Sequence, residues 1–201
     1  MNSTISEPLF RLFLIRHGDT DWSDAHRHTG LSDVPLTRHG EQQARALGAR
    51  LKGLQFARTF TSPLQRALQT CELAGFAGAA ESDPDLVEWD YGDYEGLTTS
   101  EIRCKNPTWD LFSAGCPNGE TPQDMLMRAD RFIKKVRSVP GDVITFSSGH
   151  IIRVIAARWL SLEPEAARYF LASTAAIGIL GYEHDRSEPA ICLWNEHINV
   201  D

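Results

Sequence analysis

The stretch Leu12 to Thr20, LFLIRHGDT, runs four apolar residues directly into Arg16, His17 and Gly18. The apolar run reads as a buried strand, and the glycine as the turn that ends it. An apolar core has no use for a cation and an imidazole, because an unpaired buried charge is costly. Both side chains are therefore expected to meet an anion at the strand's end.

The same pattern recurs along the chain. TRHGEQQARALGARL follows a polar loop, and Thr37 is placed to cap a helix whose Ala44, Leu47 and Leu51 share one face. ARTFTSP reads as a short strand ending at Ser62, with Ser62 and Pro63 as N-cap and first residue of a helix carrying Leu64, Ala67, Leu68, Cys71 and Ala74. Pro122 starts a further helix with Met125, Ala129, Phe132, Ile133 and Val136 on one side. DVITFSSGHIIRVIAARWL again gives an apolar run (Val143 to Phe146), a small-residue turn and a helix. AIGILGY and AICLW read as a closing hairpin. The segment from about Glu81 to Gly119, rich in Gly, Pro, Trp and acidic residues, reads as loops and short helices covering a site.

This alternation predicts an α/β fold: a three-layer sandwich with a mostly parallel sheet flanked by helices. No repeat, low-complexity tract or linker divides the chain, so residues 1–201 are expected to form a single domain. Ligands of such sheets sit beyond the carboxyl ends of the strands, where Arg16 and His17, Ser62 to Arg66, and Ser147 to His150 all fall.

The 201 residues are 42% hydrophobic with a formal net charge of -7, which argues against a general affinity for nucleic acid or acidic membrane. No hydrophobic run is long enough to span a bilayer, and MNSTISEPLF lacks the basic and apolar regions of a secretion signal. Cys71, Cys104, Cys116 and Cys192 lie far apart with no C-x-x-C pair, which suits a reducing cytoplasm. Any anion site is a local basic pocket on an acidic molecule.

Arg16 and Arg66 carry planar forks suited to phosphate, and Arg66 falls in a first helical turn, where backbone N–H groups also favour an anion; the plainer reading of Arg66 is an exposed helix arginine. The His17 imidazole can attack phosphorus and carry the phosphoryl group covalently, with no metal needed. Its plainer readings are a core histidine or a metal ligand beside His26 and His28, although HRH in a polar loop matches no standard ligand spacing. A leaving alkoxide needs a proton, and VEWDYGDYEG offers Glu88, Asp90, Asp93 and Glu95; Glu88 is the best placed. The spacing does not fit a calcium loop.

LIRHGDTDWS, HTGLSDVPLTRHGEQQA, TSPLQRALQT, LVEWDYGDYEGLT, GCPNGET and SGHIIR together resemble the histidine phosphatase superfamily, in its order and over nearly the whole chain. EWDYGDYEGLT, GCPNGE and AIGILGYEHD look most like its small bacterial acid phosphatases and the sedoheptulose-bisphosphatase type. The resemblance implies a phosphoglycerate mutase-like fold, His17 as the phosphorylated nucleophile, Arg16 and Arg66 on the phosphoryl group, and Glu88 as proton donor. It also implies substrate contacts at Ser23, Thr29, Gly30 and Tyr91.

Two departures from the family pattern stand out. Mutases of this family carry a lysine eleven residues after the glutamate and an arginine pair further on; here the first position is Thr99 and TWDLFSAG has no such pair. The family's second catalytic histidine is replaced by Ser148, and His150, with Arg153, matches a separate substrate-side position. Ser148 also has a plainer reading, as N-cap of a helix beginning near His150.

The expected activity is metal-independent hydrolysis of small phosphate monoesters, sugar or acid phosphates, through a phosphohistidine and attenuated by Ser148, with no cofactor. The alternatives are a degenerate phosphate-ester binding protein and a phosphoglycerate mutase. Arg103, Lys105, Arg128 and Arg153 are candidates to read the rest of the substrate. The expected partner is a small phosphorylated metabolite, in a cytoplasmic protein for which a homodimer is open.

Overall fold

The computed structural model describes residues 9–198 and Val200. The N-terminal stretch scanned for a secretion signal lies almost wholly outside them. Strands β1 (Leu12–Arg16), β2 (Arg58–Thr61), β3 (Ala80–Ser82), β4 (Val143–Ser147), β5 (Ile177–Tyr182) and β6 (Pro189–Glu196) form one sheet in the order β3-β2-β4-β1-β5-β6. The first four run parallel, β5 pairs antiparallel with β1, and β6 antiparallel with β5. The helices are α1 (Asp21–Asp24), α2 (Arg38–Arg50), α3 (Gln65–Leu73), α4 (Thr99–Lys105), α5 (Leu111–Ala114), α6 (Pro122–Val136) and α7 (Gly149–Trp159).

Alternation along β1 divides the core. Leu12 and Leu14 pack with α6 and α7 residues such as Phe132, Ile151 and Trp159, whereas Phe13 and Ile15 pack with Leu47 of α2 and Cys71 of α3. This is the expected three-layer sandwich. In-register pairing of Arg16 with Ser147 brings the carboxyl ends of β1 and β4 level, and the Ser62 N–H donates to the Phe146 carbonyl beside them.

Side-chain caps set the starts of α2, α4 and α6, and α3 is an exception. Thr37 accepts from the Gly40 N–H, while Thr98 with Glu101 and Thr121 with Asp124 form capping boxes. The exception is α3, expected to begin at Ser62-Pro63: it begins at Gln65, with Leu64 at the cap position and no side-chain cap. The Gln65 N–H instead donates to Asp33 Oδ1 at 2.8 Å, an acceptor supplied by a distant loop that local sequence does not reveal.

The segment from Glu81 to Gly119 is more than a cover. It opens within β3, which pairs with β2, and it sinks Trp89, Tyr91, Trp109, Leu111 and Phe112 into the main core. Their burial is tolerated because both indole N–H groups are satisfied, Trp89 by the Glu120 carbonyl and Trp109 by the Gly115 carbonyl.

The turn after β1 is held by a backbone-to-backbone approach. A Cβ on Gly40 would lie 2.2 Å from the Asp19 carbonyl oxygen, and one on Gly18 would lie 2.4 Å from the Gly40 carbonyl oxygen. In a first helical turn, Gly→Ala ordinarily stabilises by about 0.4–1 kcal/mol. At Gly40 the sign is expected to invert: urea denaturation of Gly40→Ala should show a loss of more than about 1 kcal/mol, because the collision is with backbone.

Candidate active site

Three strand ends meet at His17. Its backbone N–H donates to the Ser147 carbonyl (2.9 Å), and the Gly18 N–H donates to Thr70 Oγ1 (3.1 Å), which itself donates to the Arg66 carbonyl. The ring is 4% exposed, with Nδ1 2.7 Å from the Gly18 carbonyl oxygen. That carbonyl can only accept, so Nδ1 carries the proton and Nε2 keeps its lone pair. Burial, then the guanidiniums of Arg66 and Arg16, hold His17 well below the ordinary histidine value, so the ring is neutral.

The cleft at this point is lined by Arg16, His17, Ser23, Arg27, His28, Thr29, Glu88, Tyr91, His150 and Arg153, among others. Arg16 donates to the Ala172 carbonyl (2.6 Å), while its Nε is buried without a protein partner. Gly149 makes room for this guanidinium, since a Cβ there would sit 3.2 Å from Arg16 Nε and Cζ. An orphaned cationic N–H lining a cleft beside a neutral imidazole suits a phosphate oxygen.

Arg66 is fully buried and does not line the cleft. The exposed-arginine reading is therefore excluded. Its fork is turned into loop 29–32, donating to the carbonyls of Ser32 (2.9 Å), Thr29 (3.1 Å) and Gly30 (2.9 Å). Its Nε donates to Ser148 Oγ at 3.4 Å. Ser148 stands at the N-cap position of α7 but caps nothing with its side chain, so the plain capping reading is corrected; α7 itself starts at Gly149.

Glu88 lies under the first turn of α7. Oε1 accepts from the N–H groups of Trp89 (3.0 Å) and Ile151 (2.9 Å), and Oε2 from His150 (2.9 Å), leaving Oε2 the freer oxygen. Tyr91 is held protonated, well above its ordinary value, by burial and then by Glu88. Its hydroxyl lies 2.5 Å from His150 Nδ1, and His150 is kept neutral chiefly by burial. His28 packs against Tyr91 with ring centroids 4.7 Å apart. Arg153 lies over the Phe112 ring and donates to the carbonyls of Ala167 and Arg168.

Some expected substrate contacts are elsewhere. Gly30 is buried and outside the lining: its N–H donates to Glu95 and its carbonyl accepts from Arg66. Arg128 is a structural clasp, paired through two nitrogens with Glu120 and donating to the carbonyls of Asp85, Val87 and Glu88. Arg103 donates to the Trp109 carbonyl, and Lys105 is an exposed residue of α4; neither lines the cleft. Thr99 sits 3.2 Å from His28 Nε2. The lining residues Arg27, His28 and Ala172 were not assigned substrate roles from sequence; nothing local marks them, because the return of the chain to the cleft at Ala172 is tertiary. Among the described residues, the His and acidic side chains close enough to share a cation are Glu183, His184 and Glu188, at the β5–β6 turn. Antiparallel pairing of β5 with β1 puts that turn at the opposite end of the sheet from His17.

One buried and two half-buried histidines with lowered proton affinity imply acid sensitivity. His28 is brought down to about 4 by burial, and His17 and His150 are lowered as well. The unfolded chain then binds more protons below about 6.5, so unfolding free energy falls as pH drops through that value, by up to about 1.4 kcal/mol per unit for each histidine. For His28 the loss ends near pH 4. Denaturant titrations at pH 7.5 and 5 should show this decline, and His28→Asn should reduce it.

The histidine phosphatase superfamily (branch 1) model matches residues 12–197. The chain is 40% identical over 185 residues to an acid phosphatase of Mycobacterium tuberculosis, covering 90% of this chain and 91% of that one. It is 35% identical over 248 residues to a sedoheptulose 1,7-bisphosphatase of Saccharomyces cerevisiae, covering 91% and 92%. The solved structure of a Mycobacterium tuberculosis open reading frame superposes with a TM-score of 0.89 at 38% identity, covering 94% of this chain and 98% of that one. With its neutral, oriented histidine at the end of β1, the chain belongs to the histidine phosphatase superfamily.

Proposed function

We propose that this protein is a metal-independent phosphatase of small phosphate monoesters, working through a phosphohistidine on His17. The observation that carries it is the ring's orientation: the Nδ1 bond to Gly18 leaves Nε2 as an unprotonated nucleophile next to Arg16. Nε2 attacks phosphorus, the ester P–O bond breaks, and the leaving alkoxide takes a proton from Glu88 Oε2. Water then attacks the phosphohistidine, returning a proton to Glu88 and releasing phosphate. Arg16 neutralises charge on the phosphoryl oxygens, and Arg66 adds its field from within the core. The close similarity to an acid phosphatase and a sedoheptulose bisphosphatase supports a small phosphorylated metabolite as substrate. His28, Tyr91, His150 and Arg153 would hold the leaving portion, with Ser23 and Thr29 at the rim. No described helix is long and apolar enough to cross a membrane, and a cytoplasmic setting fits four free cysteines, two of them buried.

Ser148 favours a second reading, a phosphate-ester binding protein with little turnover. A neutral hydroxyl at 3.4 Å from Arg66 Nε replaces a cation-forming imidazole, and losing one transition-state donor costs about 10²–10³ in rate. His150 does not stand in for it by position, because it matches the separate substrate-side histidine that related phosphatases carry in addition to the second catalytic one. The mutase reading has less support, since Thr99 brings no cation to the position of the family's lysine.

Steady-state hydrolysis of an aryl phosphate in EDTA tests the reading. Activity should persist with the chelator, vanish in His17→Ala and rise by about 10²-fold or more in Ser148→His. Rapid quenching should trap phosphate on His17. An inactive chain that still binds inorganic phosphate, and stays inactive as Ser148→His, would establish the binding reading instead.

A further inference from the structure

Arg66 poses a problem that the reaction alone does not explain: what keeps a fully buried guanidinium aimed as it is? Its partners are three carbonyls of loop 29–32, and loop carbonyls hold a direction only if the loop is itself held. The loop's own N–H groups point at one side chain. The Gly30 N–H donates to Glu95 Oε1 and Oε2 (2.9 and 3.0 Å), and the Ser32 N–H to Oε1 (3.1 Å). The approach is so close that a Cβ on Gly30 would lie 2.6 Å from Glu95 Oε2 and 2.4 Å from the Trp89 carbonyl oxygen. A side chain at Gly30 would thus strike the Trp89 backbone first and the Glu95 carboxylate second.

The neighbouring backbone makes the same connection. The His28 N–H donates to Leu97, the Gly96 N–H to His28, and Arg27 bridges Thr98, so the loop and segment 96–98 are laced together around the carboxylate. Burial lowers the proton affinity of Arg66, and Glu95 is one of the acidic groups, after Glu88, Tyr91 and Asp33, that oppose this. The Thr29–Gly30 peptide makes the connection directly, its N–H donating to Glu95 and its carbonyl accepting from Arg66. A peptide polarised by an anion on its N–H side is a better acceptor on its carbonyl side, and the Ser32 N–H fixes the rest of the loop to the same carboxylate.

We propose that Glu95 is a positioning residue for the reaction: it clamps loop 29–32 so that the loop's carbonyls fix Arg66 behind the cleft, with its Nε on Ser148 and its charge next to His17. The proposal rests on the phosphatase reading. It assigns to Glu95, one of four acidic residues in VEWDYGDYEG, a role different from that of Glu88, and it predicts that the two fail differently on substitution.

The test is a double-mutant cycle on the full chain. Glu95→Ala should lower kcat/KM for an aryl phosphate by about 10- to 100-fold, mostly in kcat, as expected when charged groups near the reacting atoms are displaced by a fraction of an ångström to an ångström. Glu95→Gln keeps one acceptor oxygen and should lose less than tenfold. In an Arg66→Ala background, Glu95→Ala should cost less than about twofold, because the group it aims is gone. If the loss is equal in both backgrounds, the proposal is overturned, whatever the change in thermal stability. Where turnover is too slow, calorimetric affinity for inorganic phosphate provides the same cycle. A crystal structure of Glu95→Ala, or of Glu95→Gln if the first does not fold, supplies an arm independent of activity. Loss of the Arg66 bonds to Thr29, Gly30 and Ser32 supports the clamp, and their survival overturns it. Loss of those bonds with unchanged catalysis and phosphate affinity overturns it through the other premise, the involvement of Arg66 in the reaction.

Discussion

Burial of two guanidinium groups at the end of a parallel sheet is the constraint around which this molecule is organised. A charge taken out of water costs several kcal/mol unless its hydrogen bonds are replaced. Arg66 is surrounded by three carbonyls and a hydroxyl, whereas Arg16 receives one carbonyl and its buried Nε–H has no protein partner. The difference sorts their roles: the satisfied group belongs to the protein's own scaffold and field, whereas the unsatisfied one lines the cleft. Burial first, and then the same two cations, keep His17 neutral, so its imidazole needs no deprotonation near neutral pH.

Rigidity around that centre comes from polar clasps rather than from the apolar core alone. Arg128 and Glu120 form a charged pair around the backbone of 85–90, with the Asp90 N–H donating to Glu120, and this fixes the segment that presents Glu88. On the opposite flank Glu95 holds loop 29–32. Beneath both, α7 offers N–H groups of its first turn to Glu88, which ties that carboxylate to the helix that follows Ser147 and Ser148. Tight backbone contacts at Gly18, Gly40 and Gly149 let these pieces close on one another, each where a Cβ would strike backbone or Arg16.

Much of the fold was legible because its signals are local. Apolar runs at β1 and β4 have both faces covered, Thr37 caps its helix, and Pro122 opens the next long one as expected. The start of α3 was not, because its first N–H is answered by Asp33 from a remote loop. Strand β3 escaped notice for a related reason: three residues, AES, form a strand only because β2 lies alongside. The candidate site was legible where residue type dictates chemistry, as at Arg16, His17 and Glu88. It was misread where several arginines offered the same chemistry, and Arg128 was equally plausible as a substrate reader until its partners were seen.

What the sequence by itself determined is the set of groups and their attachment to strand ends: an imidazole next to an arginine at the end of β1, a second arginine early in α3, a serine where the family pattern has histidine. These are matters of residue identity and short-range order, and short-range order follows from local sterics and hydrophobic periodicity. Only the tertiary structure decided which arginine meets the cleft and which is sealed behind it, that Ser148 faces Arg66 instead of capping α7, and that Gly30 serves Glu95 rather than the substrate. Those outcomes depend on carbonyl and carboxylate partners dozens of residues away, and the energy of a buried charge is set by the partners that surround it, not by its neighbours in the chain.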